Sequence, residues 1–326
     1  MRCDITTDQW PFKTPFRIAR GVQTELTVVV VRLTDAQGRT GWGEAAGVDY
    51  DGETIDSMRA QLDSVRPQLV EGLTRQAVQS LLPSGGARNA LDCALWDLEA
   101  KVTGIPAWKT AGLSSVGPVT TAITIGIGDD EEVRAKARAV SDWPLIKMKA
   151  DAVSHLAPVR IAHQECPTAR FIVDANQSWN VDLLNRLGPE LAALNVALIE
   201  QPVKKGTDAQ LAKYTGTIPL AADESCVDRS SIPGLRGLYH VVNIKLDKTG
   251  GLTEALALAA DATAHGLGLM VGCMAGTSLA MAPGAIIAQR CQFVDLDGPL
   301  LHSTDRPNGL KYRRGQMSFP ESGLWG

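Results

Sequence analysis

Between Pro144 and Asp151 the sequence reads PLIKMKAD, which puts Lys147 and Lys149 in an apolar stretch with the alternation of a β-strand. Residues i and i+2 of a strand face the same way, so both ammonium groups point to one side while Met148 packs on the other. Two inward lysines are too costly to desolvate unless anions meet them. Later apolar runs supply candidates at their downstream ends: Asp174 in RFIVDAN, Glu200 in VALIEQP and Asp223 in IPLAADES, followed by Lys245 in HVVNIKLD. Starting at Lys149, the steps between these five residues are 25, 26, 23 and 22 residues, each the length of one strand and one helix. A buried ion-pair network could use the same residues, but it would have no need of one charge at each successive strand end.

Three converging carboxylates without His or Cys form a hard, all-oxygen donor set that suits Mg2+ and leaves positions for water or a substrate oxygen. A substrate carboxylate beside such a cation has its α-proton acidified, because metal and lysine charges stabilise the enolate. Lysine serves as the base if crowding by a metal and a second ammonium lowers its pKa from about 10.4 toward neutrality. Lys149 and Lys245 fall on the second and sixth of eight apolar runs, nearly opposite each other. Two bases on opposite faces of one carbon can remove a proton from one side and return it on the other.

The elements that would position these groups follow from the pattern around them. From about Val119 the runs TTAITIGI, PLIKMKA, RFIVDAN, VALIEQP, IPLAADES, HVVNIKLD, GLMVGCM and QFVDLD are each separated by enough chain for one helix. Eight strands alternating with helices predict a parallel barrel whose C-terminal rim carries the chemistry. Upstream, TVVVVRL (27–33) and WGEA flank a turn at Gln37-Gly38 and predict a hairpin. ARNALDCALWDLEAKVTG (87–104) has apolar residues at Ala90, Leu91, Ala94, Leu95 and Leu98, the period of a one-sided helix ending at Gly104. The expected organisation is an α+β domain over residues 1–115, a barrel over 116–300, and a final segment, 301–326.

Composition bounds the alternatives. At 326 residues, the chain exceeds what one ordinary core supports. Its 44% hydrophobic and 21% charged residues are those of a soluble globular protein, and a formal net charge of −4 without like-charge runs gives no reason to expect nucleic acid or an anionic membrane as partner. No apolar run reaches the length of a membrane span, and six scattered cysteines without C-x-x-C spacing read as reduced thiols, so a cytoplasmic location is expected. The five histidines fall in helical or connecting stretches or before a strand, so none stands at the position of the opposing base; His240 is expected to be structural, as are Leu95 and Trp96.

In order and spacing, TPFRIARG, ARNALDCALWDL, KMK, VDANQSW, IEQP, ADES, NIKLDKTGGLTEA and VDLDGP resemble the enolase superfamily, in its muconate-lactonizing-enzyme subgroup and, within that, the dipeptide epimerases. The resemblance implies a modified TIM barrel, (β/α)7β, with an N-terminal α+β capping domain onto which SFPESGLWG folds back. It implies one Mg2+ on Asp174, Glu200 and Asp223, acid/base roles for Lys149 and Lys245, and a substrate-carboxylate contact at Lys147. The activity implied is 1,1-proton transfer at the α-carbon of the C-terminal residue of a dipeptide, foremost L-Ala-L-Glu to L-Ala-D-Glu in murein peptide metabolism, by an enzyme that could be a homo-oligomer.

Asp295 and Asp297 form an i, i+2 pair with no lysine near them in sequence, and in dipeptide epimerases such a pair resembles the receptor of the substrate ammonium. Capping of the following turn would account for one of them. Thr124, Cys273 and Met274 match positions that contact the substrate backbone in that family, packing being the alternative. Where alanyl-glutamate epimerases carry an arginine after the Arg-Gly of the capping loop, this chain has Gln23. Either Arg17 or Arg20 replaces it, or the second residue of the dipeptide is not strictly glutamate. A dehydrating (o-succinylbenzoate-synthase-like) or lactonizing enzyme would use the same lysines and metal without needing the Asp pair. A Schiff-base aldolase would not need the carboxylates, and a non-catalytic binding protein would not need the whole set.

Overall fold

The computed structural model describes residues 1–18, 21–70 and 72–326. β1 (Arg2–Ile18), β2 (Gly21–Thr34) and β3 (Thr40–Ala45) form an antiparallel sheet in the order β1-β2-β3, so the hairpin expected from TVVVVRL and WGEA is present and gains a long first strand that the sequence pattern did not reveal. The four consecutive valines of β2 are all buried because both its faces are covered. Val29 and Val31 pack into a core with α1 (Ile55–Val65), α2 (Arg75–Leu81) and α3 (Gly86–Thr103), whereas Val28 and Val30 join the larger core of the barrel.

α3 is not the one-sided helix its periodicity predicts. Leu91 and Ala94 meet the three-stranded sheet's core, while Cys93 and Trp96 enter the barrel's. Arg88, Asp92 and Trp96 are buried too, because each finds a partner across the boundary: Arg88 donates to the Thr249 and Gly250 carbonyls, Asp92 accepts from the Thr253 N–H, and Trp96 Nε1 donates to Thr253 Oγ1. On the sheet side, a Cβ at Gly43 would lie 2.0 Å from the Ala90 carbonyl oxygen and one at Gly41 2.2 Å from that of Ala94, so only glycine lets the helix backbone come this close.

After β4 (Val119–Thr120), all eight predicted barrel strands appear in order: β5 (Ile123–Ile125), β6 (Leu145–Lys149), β7 (Arg170–Asp174), β8 (Val196–Glu200), β9 (Leu220–Ala222), β10 (Val241–Ile244), β11 (Gly268–Val271) and β12 (Phe293–Val294). They pair in parallel as one sheet, which curls until the Ala122 N–H donates to the Val294 carbonyl at 2.8 Å. The connections are not uniform. β8 and β9 are joined through the 3-10 helix Asp208–Lys213, and β9 and β10 through short turns at Arg229–Ser231 and Ile232–Leu235. Inside, Ala122, Leu145, Ile172, Leu198, Ala221, Val241, Met270 and Phe293 fill the lower barrel, one from each strand or its start. The charged layer lies two residues further along.

The C-terminal segment returns across both units. β13 (Tyr312–Arg313) pairs with β14 (Gln316–Met317) and β14 with β4, Trp325 Nε1 donates to the Cys93 carbonyl, and the Gly326 N–H donates to Asp97. Arg306 binds Glu44 of β3 at 2.7 Å and Asp8 of β1 at 2.7 Å, and Glu44, fully buried, also accepts from the N–H and hydroxyl of Thr277. Removing one partner of a buried ion pair strands the other, so Arg306→Ala should lower the unfolding free energy by about 3 kcal/mol, with partial recovery in Arg306→Lys. Urea denaturation checks this; a loss of under about 0.5 kcal/mol would mean that Thr277 alone satisfies Glu44.

Candidate active site

Register sets the site before any loop does. Lys149 pairs with Asp174 and Asp174 with Glu200 across β6, β7 and β8, while Asp223 and Lys245 immediately follow β9 and β10. Since β6 and β10 are four strands apart in the eight-stranded order, Lys149 and Lys245 enter from opposite sides with the three carboxylates between them. Lys149 Nζ binds Asp174 Oδ2 at 2.6 Å and Lys245 Nζ binds Asp223 Oδ2 at 2.7 Å. Lys147, 2% exposed, stands among Glu200 (2.8 Å), Asp174 (3.2 Å) and Asp295 (2.8 Å).

Residues that the spacing did not single out hold this arrangement. Asn243, two before Lys245 and therefore on the same inward face, donates to Glu200 Oε1 at 2.8 Å. Lys248 binds Asp223 Oδ1 at 2.7 Å, the Asn243 carbonyl at 3.0 Å and the Asp223 carbonyl. Gln201, the glutamine of IEQP, sits at φ 34° and accepts from the N–H groups of Asp223 and Ser225 through one side-chain oxygen. Strained backbone of this kind persists where its surroundings dictate it; here the carboxamide fixes the end of the neighbouring strand. The i, i+2 rule applied to Lys147 and Lys149 would also have found Asn243; Gln201 left no such signal.

No lysine lies near the Asp295/Asp297 pair in sequence, but in space Lys147 reaches Asp295 Oδ2 across the barrel. Asp297 Oδ2 accepts from the Thr124 N–H at 2.7 Å, tying the first strand to the end of the last. Among the described residues, Asp295 Oδ1 has no hydrogen-bond partner. Thr124, Cys273 and Met274 all line the same cleft of about 310 Å³, with Lys147, Lys149, Lys245, Asp223, Asp295 and Asp297. The opposite wall comes from β2 (Gln23, Glu25, Leu26) and from the segment after β3 (Asp49, Tyr50, Glu53). Gln23 therefore faces the cleft, exposed; the Arg17 side chain and Arg20, its proposed substitutes, lie outside the described residues. Among the described residues no histidine lines the cleft: His240 Nδ1 accepts from the Leu220 N–H and His302 stacks on Phe12.

Electrostatics follow from a surplus of acid. Six buried carboxylates (Asp174, Glu200, Asp223, Glu224, Asp295, Asp297) face four ammonium groups (Lys147, Lys149, Lys245, Lys248). Burial, with Asp174 alongside, pushes Glu200 up to about 7, and burial beside Asp295 does the same for Asp297. Against its own burial, the lysines hold Asp174 down at about 2 and Asp223 well below the usual range. Burial, the largest single influence, would lower Lys245, but Asp223 together with Tyr50 and Glu200 raises it well above its ordinary value, opposite to the lowered pKa expected of a base. Among the described residues no three ligand side chains already close on one point; the Lys147 ammonium stands between them. The donor set nonetheless fits a divalent cation: all oxygen, deeply buried, with carboxylates outnumbering the ammonium groups that face them.

Two family descriptions cover the chain: the N-terminal domain of mandelate racemase/muconate lactonizing enzymes over residues 1–112 and the enolase C-terminal domain-like family over 131–324. It is 43% identical to the L-Ala-D/L-Glu epimerase of Escherichia coli K12, covering 96% of this chain and 98% of that one. It is 40% identical to an N-acetyl-D-glutamate racemase from Pseudoalteromonas, covering 92% and 95%. An enolase family member from Agrobacterium tumefaciens with homology to dipeptide epimerases, solved with sodium and L-Ala-L-Glu, superposes with TM-score 0.95 at 41% identity and 99% of both chains. The dipeptide epimerase of Methylococcus capsulatus, complexed with Mg and L-Arg-D-Lys, gives TM-score 0.88 at 30% identity, covering 98% and 97%. The chain thus belongs to the enolase superfamily, in its mandelate racemase/muconate lactonizing enzyme family.

Proposed function

We propose that this protein is a Mg2+-dependent epimerase that inverts the α-carbon of the second residue of a dipeptide, with L-Ala-L-Glu and L-Ala-D-Glu as the leading pair. The observation that carries the reading is the placement of Lys149 and Lys245 on opposite sides of the barrel mouth with Asp174, Glu200 and Asp223 on the strands between. Asp174, Glu200 and Asp223 would hold the cation, which when bound supplies the positive charge that stabilises an enolate. Lys147, able to reach the same carboxylates, contacts the substrate carboxylate. One lysine takes the α-proton from one face and the other, already protonated, delivers a proton to the opposite face. Asp223, at 2.7 Å, keeps Lys245 charged and aimed for delivery, and Asp174, at 2.6 Å, aims Lys149, the one that takes the proton. In the reverse direction the roles exchange. Thr124, Cys273 and Met274 flank the peptide backbone, and the free Oδ1 of Asp295, with Asp297 beside it, receives the ammonium of the first residue.

One observation favours a second reading. Because Lys147 already neutralises Asp295, the Asp pair is partly satisfied without an ammonium, which suits an N-acylated amino acid such as the substrate named for the Pseudoalteromonas relative.

Lys149→Ala and Lys245→Ala should each abolish epimerisation while still exchanging the α-proton of one epimer with solvent. Deuterium incorporation into L-Ala-L-Glu and L-Ala-D-Glu, followed by NMR, reads this out. Normal exchange of both epimers by both variants would remove the two-base assignment.

Free-amino L-Ala-L-Glu should be turned over far better than N-acetyl-L-glutamate, since capping the amine leaves carboxylate charge in a closed site without its cation. Equal or better kcat/KM on the N-acetyl compound would favour the second reading. Gln23 offers no charge to a glutamate side chain, so Gln23→Arg should raise the preference for Ala-Glu over Ala-Gln by about tenfold. Strong glutamate selectivity in the unaltered protein, unchanged in the variant, would assign that role to another basic residue.

A further inference from the structure

Two adjacent carboxylates at the end of β9 stand in opposite conditions. Asp223 has both oxygens taken, Oδ2 by Lys245 and Oδ1 by Lys248, each at 2.7 Å. Glu224 is 1% exposed and lines the same cleft, yet among the described residues neither of its carboxylate oxygens meets a hydrogen-bond donor from another residue. Its position is no accident of a loose loop, because Gln201 Oε1 fixes the N–H groups on either side of it, those of Asp223 and Ser225, at 2.9 and 3.1 Å. The lysines that could neutralise it are spoken for: Lys245 is bound to Asp223, and Lys248 divides its donors between Asp223 and the Asn243 carbonyl. A bare carboxylate out of water is costly, and the fold gains no hydrogen bond from it. A side chain kept in that state at the mouth of a site is aimed at something that arrives.

We propose that Glu224 is a positioning residue for the cation: it accepts hydrogen bonds from water carried by the Mg2+ that Asp174, Glu200 and Asp223 hold. This rests on the magnesium reading above. Mg2+ sheds its water reluctantly and keeps several molecules when only a few carboxylates bind it, and each of those waters has protons to place. Asp223 has both oxygens engaged with lysines, so the free acceptor beside it is the one available on that side of the cleft wall formed by β9. Glu224 also adds the negative charge that the two ammonium groups on Asp223 offset.

The test is calorimetric titration of Mg2+ into the metal-free, full-length protein, in the unaltered chain, in Glu224→Gln and in Asp174→Asn, with thermal unfolding of each in the absence and presence of Mg2+. Glu224→Gln should bind Mg2+ between ten- and a hundredfold more weakly. Its metal-free Tm should be unchanged or higher, because the lost charge had no partner, and the rise in Tm on adding Mg2+ should shrink. Asp174→Asn should lose binding outright. Unchanged Mg2+ affinity in Glu224→Gln overturns the inference, including the case where only KM for the dipeptide rises and Glu224 belongs to the substrate. A metal-free Tm that falls, or a variant too unstable to purify, also overturns it by making the residue structural. If the unaltered protein binds no Mg2+, the metal reading falls and this inference with it; if binding is lost in Asp174→Asn but intact in Glu224→Gln, only the inference falls.

Discussion

Lys147 lies 2% exposed within 3.2 Å of three carboxylates drawn from β7, β8 and the end of β12. A lysine in that position is tolerated only while anions surround it, and those anions are tolerated only while cations do. The mutual dependence fixes much of the molecule. It requires the strands to reach the same height, so that Lys149, Asp174 and Glu200 stand in register. It requires a dry floor, which the ring of apolar residues from Ala122 to Phe293 provides beneath. It also requires a roof, which the three-stranded sheet and its following segment supply by closing one wall of the cleft.

The charged layer is not what makes the barrel stable. Paired charges in an interior recover little more than their desolvation, whereas the two apolar cores bury the surface that drives folding. The polar groups around the site serve placement. Gln201 ties the ends of β8 and β9, Asn243 ties β10 to Glu200, and Thr124 ties β5 to Asp297. Each bond crosses from one strand end to another, so the mouth keeps its shape through side chains where the backbone ladder has ended.

How much of this could be read from the sequence depended on period. The barrel strands and the five residues from Lys149 to Lys245 were legible because a strand end recurring every strand-helix unit leaves a regular interval in the numbering. Asn243 was legible in principle by the i, i+2 rule. Lys248 and Glu224 were not, because each is decided by a turn that follows a strand, where periodicity stops. The reach of Lys147 to Asp295 was hidden by 148 residues of separation that closing the barrel removes. α3 misled for a related reason: its polar residues read as a solvent face, but Arg88 and Asp92 find partners on the turn and helix after β10, so a helix between two units shows a period that describes only one of them.

The two walls of the cleft are built by different rules, and this bears on how such a site changes its substrate. On the barrel side Lys147, Gln201, Asn243 and Asp297 are each tied to another strand, so replacing one of them disturbs several. On the other side Gln23 and Glu25 project from β2 near the tip of its hairpin, and both are exposed. That hairpin is anchored further down, where Arg306 binds Asp8 and Glu44 and Ser303 donates to the Pro11 carbonyl. A substitution near the tip therefore alters charge in the cleft without loosening the anchor or the lysines. In the proposed epimerisation, proton transfer at the α-carbon depends on the rigid wall and the choice of side chain on the adjustable one, so the chemistry can stay fixed while the preferred substrate drifts. Gln23 stands on the side where drift costs least.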